Sequence, residues 1–222
     1  MKLYQLNWRL LLLGEHCYLD TEDECYYTDE YECRQREGIK PQILSLKRGN
    51  TSAILVAAEE LASALPPEWA SCYTFVPMPP SLCATSPLRS MIKKLPVGDV
   101  RDLLLQMRDT QPSHSGWRPT PEQRASLLTL NELVVDPKPT AVVIVDDVLA
   151  TGSHFRAAKM LVRRRWPNMR VIGLFLARVC FRLKGSCYFD SAGGGNGCAC
   201  RLTQCGWPTS QGGRASLLVD VK

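Results

Sequence analysis

One stretch near the middle of the chain, Val142-Val-Ile-Val-Asp-Asp-Val-Leu-Ala-Thr-Gly-Ser-His-Phe155, most constrains the fold. Its four apolar, β-branched residues predict a buried strand, and two carboxylates, Asp146 and Asp147, follow directly. A turn of small residues comes next, and then a pattern typical of a helix. Ligands of open α/β sheets lie at the carboxyl ends of strands, and helix N-termini present unpaired N–H groups. This order of residues therefore predicts a site for an anion.

The stretch resembles the phosphoribosyl-pyrophosphate (PRPP) signature of type I phosphoribosyltransferases. The resemblance implies an α/β fold with an open, mostly parallel sheet flanked by helices, and with N- and C-terminal additions that could form a hood. It implies that Asp146 and Asp147 bind the ribose hydroxyls. It also implies that a turn binds the 5′-phosphate, and the residues of that turn are Ala150, Thr151, Gly152, Ser153 and His154. The chain departs from the family where Ala150 replaces the commoner threonine and where His154 replaces a threonine or serine.

A second motif follows a predicted strand at residues 72–78. The turn Val76-Pro-Met-Pro79 is similar to the pyrophosphate-binding turn of the competence-protein ComF branch of this family. By position, the resemblance implies a pyrophosphate loop formed by Pro79, Pro80 and Ser81, with Arg89 also in reach of the pyrophosphate. The plainer interpretation is an ordinary proline-rich turn with a surface arginine.

Residues 99–131 contain a segment rich in glycine, proline and serine, which predicts a mobile loop. Thr120-Pro-Glu-Gln123 then predicts the start of a helix. In ComF-like proteins a matching loop closes over bound pyrophosphate. The resemblance implies that the closing cations come from Arg108, His114, Arg118 and Arg124; ordinary loop charges are the alternative.

The resemblance implies a Mg²⁺-dependent transferase that releases pyrophosphate from PRPP at the anomeric carbon, with an unknown acceptor. Asp146, Asp147 and Arg124 are the candidate catalytic residues, and the two acids would hold Mg²⁺ indirectly. The alternative is a catalytically silent module that binds PRPP or a nucleotide within a DNA-uptake, repair or phage-defence complex. A homodimer is also consistent with the family. Receiver domains and metal-dependent hydrolases share the apolar strand, paired acids and glycine.

The chain is predicted to comprise an extension at residues 1–38, a phosphoribosyltransferase-like domain at 39–182 and a loose tail at 183–222. Residues 15–38 have neither a helix nor a strand pattern, and their tyrosines are expected to pack on the core. Residues 51–65 predict a helix capped by Thr51 or Ser52 and stopped by Pro66. Residues 155–166 predict a helix, and residues 169–177 a strand.

The chain has 10 cysteines and no Cys-x-x-Cys pair. Reduced thiols are the favoured interpretation, and zinc is not favoured. Two loosely spaced sets could nevertheless bind zinc. The first set is His16, Cys17, Cys25 and Cys33, and the second is Cys187, Cys198, Cys200 and Cys205.

No apolar run approaches the roughly 20 residues that a membrane span requires, and the N-terminus lacks the features of a signal peptide. A cytoplasmic location is the default expectation. The net charge of +5 is mild. The basic run Arg163–Arg165 is interpreted as a solvated helix face, with a nucleic-acid contact as the alternative.

Overall fold

The computed structural model describes residues 2–7, 16–32, 39–80, 86–108 and 119–180. The strands are β1 Tyr4–Gln5, β2 Glu24–Glu32, β3 Thr74–Pro77, β4 Asp99–Val100, β5 Leu104–Gln106, β6 Leu128–Leu130, β7 Val142–Leu149 and β8 Val171–Cys180. The helices are α1 Ile39–Lys47, α2 Thr51–Ala64, α3 Pro67–Cys72, α4 Pro87–Ile92, α5 Pro121–Ala125 and α6 Ser153–Arg165, with a 3₁₀ turn at Glu132–Val134.

Six strands form one sheet in the order β1-β2-β8-β7-β3-β4. Only the β1–β2 pair is antiparallel, and the other four pairs are parallel. Strands β5 and β6 form a separate antiparallel pair. The predicted α/β class with an open, mostly parallel sheet is confirmed.

Helices cover both faces of this sheet. Successive residues of a strand point to opposite faces. Asp146 of β7 contacts His154 of α6, whereas its neighbour Asp147 contacts Lys47 of α1. Helices α1 and α6 therefore pack on opposite faces, and both faces of β7 are covered, as expected for a parallel sheet.

The core is centred on β7, whose residues Val142–Val145 are fully buried. Phe155 of α6 meets Phe175 of β8 edge to face, with ring centroids 6.4 Å apart. A Cβ atom added to Gly173 would lie 2.7 Å from the Phe175 ring and 3.0 Å from the Phe155 ring. This glycine of β8 therefore makes room for the aromatic pair that joins α6 to the sheet.

The prediction of irregular structure across residues 15–38 is wrong for β2. Residues Glu24–Glu32 pair in parallel with β8 along their whole length. Cys25 and Tyr27 are buried two residues apart, which is the period of a strand with one face inward. The acids Glu24, Asp29 and Glu30 do not alternate regularly with apolar residues, and they obscured this period. The tyrosine packing was predicted correctly, since Tyr27 lies in the core and Tyr26 meets Trp69 edge to face.

Other element boundaries differ in detail. Helix α2 is capped by Asn50, whose side chain accepts a hydrogen bond from the Ala53 N–H at 3.0 Å, rather than by Thr51 or Ser52. The strand predicted at residues 72–78 is shorter, because α3 occupies the chain as far as Cys72. Helix α6 begins at Ser153, two residues earlier than predicted.

Among the described residues, no helix combines the length and the hydropathy needed to cross a bilayer.

Candidate functional site

Two turns leave the same edge of the sheet. Strands β3 and β7 are parallel neighbours, with Pro77 opposite Val145, and the Met78 N–H donates to the Val145 carbonyl at 2.8 Å. Pro79 and Pro80 follow β3 at this edge, and the two acids of β7 follow Val145. Their partner in the predicted pyrophosphate loop, Ser81, lies outside the described residues. The fold thus brings both predicted ligand-binding turns to adjacent carboxyl strand ends, where open α/β sheets bind ligands.

Asp146 is 6% exposed and already has two hydrogen-bond partners. Its Oδ1 atom accepts from the Asp147 N–H at 2.9 Å, and its Oδ2 atom lies 3.2 Å from Nδ1 of His154. Burial on its own would raise the pKa of the Asp146 carboxyl, but His154, the Asp147 N–H and the charge of Lys47 together outweigh burial, so that the pKa is lowered. His154 was predicted to bind phosphate, which stays a prediction; in the structure its Nδ1 atom contacts this acid.

Asp147 points to the other face, where its Oδ2 atom lies 2.9 Å from Nζ of Lys47. Burial, and then the negative charge of Asp146, raise the pKa of the Asp147 carboxyl, although Lys47 opposes this shift. The Lys47 side chain is 52% exposed. An ion pair with so exposed a partner is screened by water and stabilises little, so a ligand could displace the lysine.

This geometry bears on the predicted indirect Mg²⁺ site. The carboxylates of Asp146 and Asp147 leave β7 in opposite directions, so one ion cannot be coordinated directly by both. Within the described ranges no group of three or more His, Cys, Asp or Glu side chains could hold a metal ion. The described side chains therefore do not form a metal centre by themselves.

The zinc sets are only partly described. Cys25 is fully buried in the core, and burial raises the pKa of its thiol well above the ordinary value, which disfavours the thiolate that zinc requires. Cys17 is exposed. Cys33 and the whole second set, Cys187, Cys198, Cys200 and Cys205, lie outside the described residues.

The turn after β7 has the shape of an anion-binding loop. Ala150 is exposed, and Gly152 adopts a left-handed conformation with φ of 84° at the N-cap of α6. The Ser153 N–H donates to the Thr151 hydroxyl at 3.4 Å. The first N–H groups of α6 have no carbonyl partner within the helix, and the helix dipole adds positive partial charge beside them.

Gly152 is required for a reason that the sequence did not indicate. A Cβ atom there would lie 2.5 Å from Cγ and 2.6 Å from Cδ2 of Leu19. The residue therefore accommodates a left-handed backbone and a packed leucine, besides any close approach of a ligand.

Arg124 supplies a buried positive charge beside this turn. Its side chain is 8% exposed, and its Nε–H donates to the Ser153 hydroxyl at 2.9 Å. Burial lowers the pKa of the guanidinium, while the charge of Asp146 opposes the shift. Arg124 was predicted to contact pyrophosphate. Helix α5 packs on α6, and Arg124 thereby contacts Ser153 of the turn predicted to bind the 5′-phosphate; its contact with pyrophosphate stays a prediction. The predicted start of α5 is confirmed by a capping box between Thr120 and Gln123.

The other cations predicted to bind pyrophosphate are Arg89, Arg108, His114 and Arg118. Arg89 of α4 forms an ion pair with Asp102, with 2.6 Å between Nη2 and Oδ2. Arg108 is exposed after β5, and its carbonyl accepts a hydrogen bond from Gln106 at 2.9 Å. His114 and Arg118 lie outside the described residues.

A cavity of about 370 Å³ lies between α1, α2 and the adjoining part of the sheet. Its lining includes Leu46, the neighbour of Lys47, but neither of the two acids nor the turn. This cavity is therefore separate from the candidate site.

Three residues near the site were missed by sequence reasoning: His16, Leu19 and Lys47. None belongs to a local motif, and each reaches the site through contacts between distant parts of the chain. A basic residue in the last turn of a helix, such as Lys47, is ordinary.

Comparison of the chain with models of known protein families gave no match, and comparison with curated proteins gave none either.

Proposed function

We propose that the chain binds PRPP at the carboxyl edge of β3 and β7 and transfers its ribosyl phosphate to an acceptor, with release of pyrophosphate. One observation carries the proposal. A buried arginine, Arg124, is fixed on Ser153 beside a left-handed turn and a helix N-terminus, and two acids stand on the strand that enters this turn. Donors for a phosphate and acceptors for sugar hydroxyls thus lie at the same end of β7.

The 5′-phosphate would lie on the turn at residues 150–154. There it would accept hydrogen bonds from backbone N–H groups of the α6 N-terminus, and Arg124 would contribute charge. Because Arg124 is 8% exposed, water screens its charge little. An anion at the turn would also compensate the cost of keeping the guanidinium buried.

The ribose hydroxyls would then donate to the carboxylates. Asp147 is the more accessible acid, with 15% of its side chain exposed, and the hydroxyls would take the place of Lys47. Asp146 would stay bound to His154 and contribute negative charge beneath the sugar. That charge favours the oxocarbenium-like centre that forms as the leaving group departs.

Pyrophosphate would lie at the turn that includes Pro79 and Pro80, with Arg89 the nearest described cation by sequence. Arg89 would exchange its partner Asp102 for the ligand, at little cost for an exposed pair. We propose that Mg²⁺ enters with PRPP, coordinated by phosphate oxygens and water.

A second candidate function is a catalytically silent module that binds PRPP or a nucleotide within a larger complex. The observation in its favour is that both acids already have partners from the chain itself, Lys47 for Asp147 and His154 for Asp146. A chain with these ion pairs would keep a fold that binds a sugar phosphate without catalysing a reaction.

Calorimetry with ribose 5-phosphate and with PRPP plus Mg²⁺, together with a pyrophosphate-release assay over a panel of nucleobases, tests both candidates. Binding with release supports the transferase, and binding without release supports the silent module. If neither ligand binds to the wild-type chain, the transferase is wrong, and so is a silent module that binds PRPP.

Substitution of Arg124 locates the phosphate. Arg124→Met keeps the apolar stem and removes the charge, and we expect ribose 5-phosphate affinity to fall by about 1.5–3 kcal/mol, or roughly 10- to 150-fold. Arg124→Lys is the matched control, since it keeps the charge but loses the planar donor geometry, and should lose less affinity. Equal affinity in Arg124→Met and in the wild-type chain would exclude this residue from the site.

A further inference from the structure

The segment His16–Asp23 crosses the turn that follows β7. Nδ1 of His16 donates a hydrogen bond to the Ala150 carbonyl. The Tyr18 N–H donates to the Thr151 carbonyl at 3.0 Å. The segment is itself folded into a turn, since the Leu19 N–H donates to the His16 carbonyl at 2.8 Å. Two consecutive carbonyl groups of the candidate site are thus held by a part of the chain more than 100 residues away in sequence.

Ion pairs anchor the same segment to α6. Asp23 has no exposed side-chain surface, and its carboxylate lies 2.5 Å from Nζ of Lys159 and 3.0 Å from Nη1 of Arg156. Asp20 also contacts Nη1 of Arg156, at 2.6 Å. Both cations lie on the helix whose N-terminus forms the candidate site. The segment and the turn are therefore held by one helix.

Peptide geometry gives these contacts a consequence for ligand binding. In a trans peptide unit the C=O and N–H groups point in opposite directions. The carbonyls of Ala150 and Thr151 point toward the segment, so the N–H groups of Thr151 and Gly152 point away from it. A phosphate at the proposed site would contact these two groups together with the N–H groups of the α6 N-terminus. Leu19, packed against Gly152 from the side of the segment, opposes rotation of the Thr151–Gly152 peptide unit.

His16 is held in an unusual conformation for this contact. It is fully buried and has φ of 54°, in the left-handed region that residues other than glycine seldom adopt. Such a conformation is retained where the surrounding structure requires it, and these positions concentrate at binding sites.

We propose that the His16–Asp23 segment is the positioning element of the phosphate turn. It binds the carbonyls of Ala150 and Thr151 and so directs the N–H groups of Thr151 and Gly152 toward the phosphate before the ligand arrives. The ligand then meets donors that are already oriented, and less ordering of the turn accompanies binding. The inference rests on the proposed function for the identity of the ligand, but the orientation of the turn is a property of the chain alone.

Three substitutions test the proposal. His16→Ala removes the donor. His16→Asn keeps an N–H donor near the position of Nδ1, and asparagine tolerates the left-handed conformation. Thr28→Val is the matched control, because Thr28 likewise donates a buried side-chain hydrogen bond to a carbonyl, that of Leu176, at 2.6 Å and away from the turn.

The readouts are the dissociation constant for ribose 5-phosphate, the melting temperature, and hydrogen exchange at the amides of residues 151–156 without ligand. His16→Ala should weaken binding about tenfold and speed exchange, as expected for one lost hydrogen bond. His16→Asn should stay within about threefold of the wild-type constant. Thr28→Val should change neither binding nor exchange at these amides. Binding by His16→Ala that equals that of Thr28→Val would overturn the proposal.

Two further results are decisive. If the wild-type chain does not bind ribose 5-phosphate, the proposed function fails. Hydrogen exchange then decides the positioning role, which is refuted if His16→Ala exchanges as slowly as His16→Asn. If His16→Ala does not fold, Asp20→Asn replaces it. This change weakens the ion pair between Asp20 and Arg156, and ribose 5-phosphate binding should weaken about two- to threefold. An unchanged dissociation constant for Asp20→Asn would refute the role of this ion pair in positioning the turn.

Discussion

Replacement of Gly152 by alanine should destabilise the folded chain more than the same replacement of Gly49. Both glycines have positive φ, 84° and 74°, so each alanine would adopt a left-handed conformation at a cost of about 1–2 kcal/mol. A Cβ atom at position 49 meets nothing within 4 Å, whereas at position 152 it would lie 2.5 Å from Cγ of Leu19. Such overpacking adds about 1–3 kcal/mol. We therefore expect losses of about 1–2 kcal/mol for Gly49→Ala and about 2–5 kcal/mol for Gly152→Ala.

Urea unfolding of the two variants, compared through midpoints at constant slope, measures the difference. Gly152→Ala should then be repeated in a Leu19→Ala chain, where the clash is absent and only the conformational cost of about 1–2 kcal/mol should remain. Equal losses at positions 49 and 152, or a loss at 152 that does not depend on Leu19, would refute the contact between the segment and the turn.

A side chain larger than alanine at position 152 would also meet Leu19. Gly152→Val should lower the free energy of unfolding as well as phosphate binding. Loss of binding by that variant alone therefore does not test the site, and Arg124→Met, which leaves the backbone of the turn unchanged, is the better probe.

Three other predictions follow from the core and from Asp146. Gly173→Ala should lower the free energy of unfolding by about 1–3 kcal/mol in urea titrations, because its Cβ would lie 2.7 Å from a core phenylalanine ring; a neutral effect would contradict the packing at this strand. Iodoacetamide should modify exposed Cys17 within minutes and buried Cys25 only in denaturant, as judged by peptide mass spectrometry, and equal rates would show that the buried thiol is accessible. His154 holds the pKa of the Asp146 carboxyl below its ordinary value of 3.8. The pair therefore stabilises the fold above pH 3.8, and this stabilisation is lost as the pH falls through the lowered pKa. Asp146→Asn should therefore lose less stability than the wild-type chain between pH 4 and pH 2, and parallel curves would argue against the pair.

Much of the fold near the site could be read from local sequence. The apolar run Val142–Val145 indicated the central strand, and Thr120 with Gln123 indicated the start of α5. The small residues around Gly152 indicated the turn before α6. These features depend on residues within a few positions of one another, through periodicity, capping and backbone conformation.

Only the tertiary structure decided how these pieces are used. Strand β2 exists because β8 offers it a parallel partner almost 150 residues away, and its irregularly placed acids hide the strand pattern in the sequence. Three contacts at the site likewise join distant segments of the chain. They are the ion pair of Asp147 with Lys47, the hydrogen bond of Arg124 to Ser153, and the hydrogen bond of His16 to the turn. The physical reason is that periodicity and capping are properties of neighbours in the chain, whereas the partner of a buried charge or a carbonyl group is set by which surfaces meet when the sheet and helices pack.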